Sequence, residues 1–216
     1  KTFKVASMFA GVGGIDLAFE QAGFETVWAN ELDKYACRTY RLNFNKNILV
    51  EGDIQDISTD EIPNFDVLIA GFPCQAFSSV GLLKGFEDPR GNLFFETARV
   101  IAARKPQIVF FENVANLVKH DNGKTFATIR QTMDELGYFV SYKVMNASDY
   151  GIPQQRNRIY IVASSSKDFV NRFEFPVERA LEKNAFAYFD KERQPDYYYM
   201  DKHKKWDEMM AYMNDR

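Results

Sequence analysis

Short runs of β-branched and apolar residues alternate along this chain with segments whose apolar positions recur at helical spacing. Val5 to Ala10, Thr26 to Asn30, Ile48 to Val50, Val67 to Ala70 and Ile108 to Phe111 read as strands. Helical patterns fill the intervals, from Gly11-Val-Gly-Gly to Ala22, from the capping Asp33 toward Phe44, and from Asn92 to Arg104. Lys124 to Leu136 predicts another helix with Phe126, Ile129, Met133 and Leu136 facing inward. Tyr138 to Met145 and Ile159 to Ala163 predict two final strands joined through Tyr150-Gly-Ile-Pro. Strand and helix in alternation predict an α/β fold, a mostly parallel sheet covered on both faces. Residues 76 to 91, with Gly81, Gly85, Pro89 and Gly91, keep little periodicity and read as a lid or binding loop. Past Ser166 the pattern changes, and residues 171 to 216 are charged and aromatic, ending in an amphipathic helix with Trp206, Met210 and Met213. The expected division is a domain over 1–168 and a tail over 169–216 that opens a second lobe.

Composition narrows the class. The 216 residues suffice for one sizeable α/β domain and an appendage. Hydrophobic content of 46% excludes a disordered or fibrous chain. A net charge of −3 removes global basicity as a sign of nucleic-acid binding, while leaving room for a local basic cleft. Two cysteines are too few for a disulfide framework, and two histidines leave little scope for a zinc site. With no run near the roughly 20 apolar residues of a spanning helix and no signal-peptide pattern, a soluble protein of a reducing compartment is expected. The chain opens at Lys1 rather than methionine, which predicts a trimmed or partial polypeptide.

Candidate chemistry gathers at strand ends. Gly11, Gly13 and Gly14 lie between a strand and a helix, where small residues let a ligand approach the backbone. A dinucleotide fingerprint would place a third glycine where this chain has Asp16, which favours a ligand without a pyrophosphate. Glu31 follows the second strand and Asp53 the third. Singly, each acid suits a helix cap as well as a ribose; three features on consecutive strand ends favour an adenosyl cofactor. At the fourth strand's end stands Phe72-Pro73-Cys74-Gln75. A free thiol near pKa ~8.5 needs help to ionise. Arg156 and Arg158, two apart, would project from one strand face, and Glu112 ends the fifth strand at the same sheet edge. The plainer readings are an inert buried thiol, a helix-capping glutamate and a solvated surface arginine pair or structural salt bridge. Cys37, in a helical stretch with Tyr40, reads as core.

Phe9-Ala-Gly-Val-Gly-Gly, Gly71-Phe-Pro-Cys-Gln, Glu112-Asn-Val and Gln154-Gln-Arg-Asn-Arg, with Asn30-Glu31, Gly52-Asp53-Ile54 and Arg90-Gly-Asn-Leu-Phe-Phe between them, form an ordered series over residues 1 to 165. The series resembles the motifs of the C5-cytosine DNA methyltransferases, above all the bacterial enzymes of restriction–modification systems. The resemblance implies the S-adenosylmethionine-dependent methyltransferase fold with an antiparallel final strand, and S-adenosyl-L-methionine as cofactor, S-adenosyl-L-homocysteine as product. By position, Phe9, Ala10, Gly11, Gly13, Gly14 and Ile15 form the cofactor loop, Glu31 and Leu32 meet the ribose, Asp53 and Ile54 meet the adenine, and Pro73 and Leu93 border the pocket. Cys74 becomes the nucleophile, Glu112 the partner of ring nitrogen 3 and the exocyclic amine, and Arg156 and Arg158 hold the base. Gln75, Ser78 and Arg90 are implied on the DNA side, and the loop from Ala76 to Gly91 closes over the flipped nucleotide. No metal is implied.

The chemistry agrees with that assignment. Carbon 5 of cytosine is a poor nucleophile until a thiolate adds at carbon 6 and turns the ring into an enamine. In a duplex the base must first leave the stack, at a cost of a few kcal/mol. The implied partner is double-stranded DNA in a bacterial cytoplasm, on the nucleoid when bound, with no membrane. The family continues into a target-recognition region and further motifs that residues 171 to 216 do not display, so a fragment or one subunit of a split enzyme is expected, methylating poorly alone. A tRNA-methylating branch of the same family, and a non-catalytic cofactor- or DNA-binding subunit, remain as alternatives.

Overall fold

The computed structural model describes residues 2–73, 93–182 and 187. Strands β1 (Lys4–Met8), β2 (Glu25–Glu31), β3 (Leu49–Glu51), β4 (Val67–Ala70), β5 (Ile108–Val114), β6 (Phe139–Asn146) and β7 (Asn157–Ser164) form one sheet of order β3-β2-β1-β4-β5-β7-β6. The first five pair in parallel with one another, and β7 runs antiparallel to both β5 and β6. Helices α1 (Gly14–Gln21), α2 (Lys34–Asn43), α3 (Leu93–Arg104) and α4 (Lys124–Glu135) supply the crossovers that parallel pairing demands. From β1 the chain steps outward to β2 and β3, then returns to β4 on the other side of β1. That reversal opens a crevice at the strands' carboxyl ends.

The strands form because their alternate residues bury against different layers. Ala6, Met8, Leu68, Ala70, Val109 and Phe111 face a core completed by Phe94 and Ile101 of α3 and by Phe126, Ile129 and Met133 of α4. Val5, Val67 and Ile69 face the other way, toward Phe19 of α1, Phe24 and Phe110. All four residues of β4 are buried, as expected of a central parallel strand. Each such Ile, Leu or Phe stabilises the fold by about 1.5–3 kcal/mol. Helix α2 covers β2 and β3 by setting Cys37 and Tyr40 against Ala29 and Leu49, so Cys37 is core, as its helical spacing predicts.

Several boundaries differ from expectation. The first strand stops at Met8 rather than Ala10, because Phe9 enters the left-handed region at φ 54°. Ile48 closes a 3-10 turn (Lys46–Ile48) instead of opening β3. Strand β5 continues past Phe111 to Val114, which places Glu112 within a paired strand opposite Tyr160. Helix α5 (Lys167–Arg172) packs on β7 and β6, so the expected division at 168/169 falls inside it. Arg179 then pairs with Tyr150, its amide donating to the Asp149 carbonyl at 2.8 Å. No helix among the described residues is long and apolar enough to cross a membrane.

Candidate active site

A cleft of 770 Å³ opens where the strand order reverses, lined by Phe9, Asn30, Glu31 and Leu32 on one side and Asp53, Ile54, Pro73 and Leu93 on the other. Its size lies within the range of small-molecule sites. Sheet topology explains the grouping, since each residue ends β2, follows the carboxyl end of β1, β2, β3 or β4, or begins the helix after β4.

Glu31 is held by backbone donors. Its Oε1 accepts from the amides of Leu32 (2.9 Å) and Asp33 (2.8 Å), and its Oε2 accepts from the amide of Gly11 at 2.8 Å. Three charge-assisted bonds fix the carboxylate's plane. With two donors already on Oε1, Oε2 is the oxygen with room for a ligand hydroxyl, given two lone pairs per oxygen. Asn30 braces the opposite wall, donating to the carbonyls of Val50 (3.1 Å) and Gly52 (2.9 Å) where the chain turns toward Asp53. Asp53 caps the 3-10 turn Ile54–Asp56 through the Gln55 amide. Arg99 of α3, in an ion pair with Glu96 at 2.7 Å, donates to the carbonyls of Ile54 and Ile57 at 2.9 and 3.1 Å. It thereby ties the helix that begins at Leu93 to the turn that carries Ile54. An oriented acid after β2, a second after β3 and apolar walls suit the ribose and adenine of an adenosyl group.

The loop between β1 and α1 supports this cleft from below. Gly13 sits at φ 91°, and a Cβ there would lie 2.2 Å from the Phe44 ring, so no other residue fits without displacing that ring. Of the expected cofactor-loop residues, Phe9 lines the cleft, Gly11 reaches it through Glu31, and Ala10, Gly13, Gly14 and Ile15 are not among its lining.

Beside the cleft lies the second cluster. Glu112 on β5 accepts from Arg158 Nε at 2.8 Å, and Arg156 approaches the same oxygen at 3.7 Å. Glu112 and Arg158 are each one-fifth exposed, whereas Arg156, just ahead of β7, is half exposed. Antiparallel pairing sets Val114 opposite Arg158 and Glu112 opposite Tyr160, bringing residues 46 positions apart in sequence onto one face. Glu112 Oε2 lies 3.7 Å from the Cβ position of Gly71, so the chain leaving β4 passes the carboxylate just before Pro73. Asn113, buried beside Glu112, donates to the Phe72 carbonyl at 2.7 Å and accepts from the Val114 amide at 2.8 Å. Both arginines thus approach Glu112, but Arg156 precedes β7 and does not share the strand face expected of the pair. Cys74, Gln75, Ser78 and Arg90 lie outside the described residues.

Asn113, Arg99 and Asp16 are the site-forming residues that sequence reasoning passes over or reads only as a departure. Asn113 could have been suspected from its place next to Glu112. Nothing local marks Arg99 as a brace, because the carbonyls it holds lie more than 40 residues away.

Comparison with known proteins follows the same lines. A family model described as C-5 cytosine-specific DNA methylase matches residues 3–215. Over 181 residues the chain is 55% identical to the type II methyltransferase M.Bsp6I of Bacillus sp. (strain RFL6), covering 82% of this chain and 57% of that protein. It is 49% identical over 180 residues to the type II methyltransferase M.HhaI of Haemophilus parahaemolyticus, covering 83% and 54%. The chain therefore spans little more than half the length of these relatives. The structure of S. pombe Dnmt2 methyltransferase superposes with a TM-score of 0.69 at 23% identity, covering 89% of this chain and 62% of that one, a likeness of fold.

Proposed function

We propose a function from one premise: the chain belongs to the C-5 cytosine-specific DNA methylase family. On this reading it is the catalytic part of a modification enzyme that methylates carbon 5 of cytosine in duplex DNA. The observation that carries it is the adjacency of two sites on one sheet edge: the cleft of Glu31 and Asp53, and the Glu112 carboxylate gripped by Arg158 beside the chain that leads to Cys74.

S-adenosyl-L-methionine fits the cleft's donor set and, when bound, supplies an electrophilic methyl group. Glu31 Oε2 accepts a ribose hydroxyl, Asp53 and Ile54 meet the adenine, and Phe9, Leu32, Pro73 and Leu93 exclude water around them. Cys74, as the thiolate, would add to carbon 6 of a flipped cytosine, and the carbon 5–carbon 6 double-bond pair would shift to make carbon 5 nucleophilic. Carbon 5 would take the methyl group, then give up its proton to a base as the bond to sulfur breaks, which restores the ring and releases the thiolate. Glu112 holds nitrogen 3 and the exocyclic amine, so charge pushed into the ring meets a proton donor. Arg158 fixes the Glu112 carboxyl, and Arg156 adds positive charge on its exposed side. Gln75, Ser78 and Arg90 serve the DNA. Residues 1–168 form the catalytic domain, and 169–216 lead toward target recognition, supplied by further sequence in the same or a second polypeptide. The enzyme works in the bacterial cytoplasm, on the nucleoid.

The test uses DNA with 5-fluorocytosine, whose fluorine cannot leave as a proton does and so strands the covalent intermediate. The complete enzyme, with the target-recognition sequence present, this DNA and S-adenosyl-L-methionine should yield a denaturation-resistant adduct mapping to Cys74. Its absence, or its persistence in Cys74→Ala, defeats the reading.

A further inference from the structure

Asp16 is fully buried in the first turn of α1, a place where an ionised carboxylate costs stability. Its two oxygens join three elements. Oδ2 accepts from Ser7 Oγ of β1 at 3.0 Å, and Oδ1 accepts from Tyr40 Oη of α2 at 2.9 Å. Desolvation pushes the Asp16 carboxyl up, and it pushes the Tyr40 phenol up as well, so the phenol keeps its proton and donates.

The contacts continue to the cofactor loop. The Tyr40 ring stacks on Phe44 with centroids 4.4 Å apart, and Phe44 occupies the space a Cβ on Gly13 would need. Asp16, Tyr40, Phe44 and Gly13 therefore close a ring beneath the turn between β1 and α1. The start of α2 also lines the cleft through Asp33, Lys34 and Tyr35. A shift of α2 would move that wall and the glycine turn together.

We propose that Asp16 is a positioning residue for the cofactor site, holding the Phe9–Gly14 turn and α2 in fixed relation through Ser7 and Tyr40. The inference rests on the reading of the cleft given above. Neither Asp16 nor Tyr40 lines the cleft, so both act through the geometry they impose.

Calorimetric binding of S-adenosylhomocysteine tests it. Asp16→Ala and Tyr40→Phe should each weaken binding about ten-fold, the scale of one lost bond to a buried charge. Tyr40→Phe retains the ring on Phe44 and so isolates the hydroxyl. Asp16→Asn should stay within about three-fold of the parent, because an amide can accept from Tyr40 and donate to Ser7. The Asp16→Ala/Tyr40→Phe double variant should bind no worse than the weaker single variant. Single variants within about two-fold of the parent, an Asn variant as weak as the Ala variant, or additive losses would overturn the proposal. If Asp16→Ala does not fold, Tyr40→Phe and Ser7→Ala decide alone. A parent that fails to bind removes the cleft reading as well; a parent that binds beside unaffected variants removes this proposal only.

Discussion

Replacing Asn113 by Asp changes one atom of the side chain and attacks the link between the two halves of the site. In the native protein the Asn113 amide donates to the Phe72 carbonyl at 2.7 Å, two residues before Cys74, in a position only 4% exposed. Aspartate has no proton to donate there when ionised, and it sets one oxygen against another. The Phe72 carbonyl is left buried and unpaired, at a cost of about 1–3 kcal/mol. Burying the new charge adds to this unless the carboxyl takes up a proton. A loss of about 2 kcal/mol corresponds to a fall of roughly 4–8 °C in melting temperature for a chain of this size. On the proposed reading catalysis should suffer more than stability, because the Phe72 carbonyl lies on the backbone that leads toward Cys74. A misplacement of about 1 Å costs on the order of 100-fold in rate. Differential scanning fluorimetry measures the first effect, and the rate of 5-fluorocytosine adduct formation at a temperature where the variant is folded measures the second. An Asn113→Asp variant with the parent's melting temperature and adduct rate would refute the claim that this bond sets the strand ends.

Further outcomes can be checked in parallel. Glu112→Gln should lower methyl transfer by about 10²–10⁴-fold while S-adenosylhomocysteine binding stays within a few-fold, since neutral glutamine has no acid proton for nitrogen 3; unchanged turnover removes Glu112 from the mechanism. Arg99→Met should destabilise the protein by about 2 kcal/mol and weaken cofactor binding about ten-fold, as the Ile54 and Ile57 carbonyls lose their donor; intact binding to the folded variant would show that Ile54 needs no such brace. Tyr138 donates to the Pro106 carbonyl at 2.6 Å, and burial pushes its phenol up from 10.0 to about 12. The unfolded chain therefore releases this proton first, so stability holds below pH 10 and falls by about 3 kcal/mol as pH climbs to 12. Tyr138→Phe should lose that share of the alkaline decline, as followed by urea unfolding at pH 9 and above; an identical decline in both proteins contradicts the assignment.

The sheet was legible because its strands are buried on both faces, which turns them into apolar runs such as Val67 to Ala70 that leave little ambiguity. Strand ends were less so. Phe9 looks like a sixth strand residue until its positive φ is known, and Ile48 is as apolar in a 3-10 turn as in a strand. The acids at successive strand ends could be grouped from the sequence, because parallel topology delivers them to one edge. So could Arg156 and Arg158, although Arg156 precedes β7 and does not share the strand face their spacing implies. What could not be read were the braces behind them. Asp16 takes its meaning from Tyr40, and Arg99 from two carbonyls near residue 55, partners that only the folded chain brings within 3.1 Å.

The antiparallel seat of β7 between β5 and β6 has a consequence for how this protein is born. Synthesis delivers β6 before β7, so the slot alongside β5 stands vacant until residues 157–164 emerge and thread into it. During that interval the edge of β5 offers unpaired amides to any passing strand, which makes it the segment a chaperone would most usefully shield. Glu112 also waits without its guanidinium companions until the slot fills. On the proposed reading, competence for chemistry is thus gained in the same event that closes the sheet.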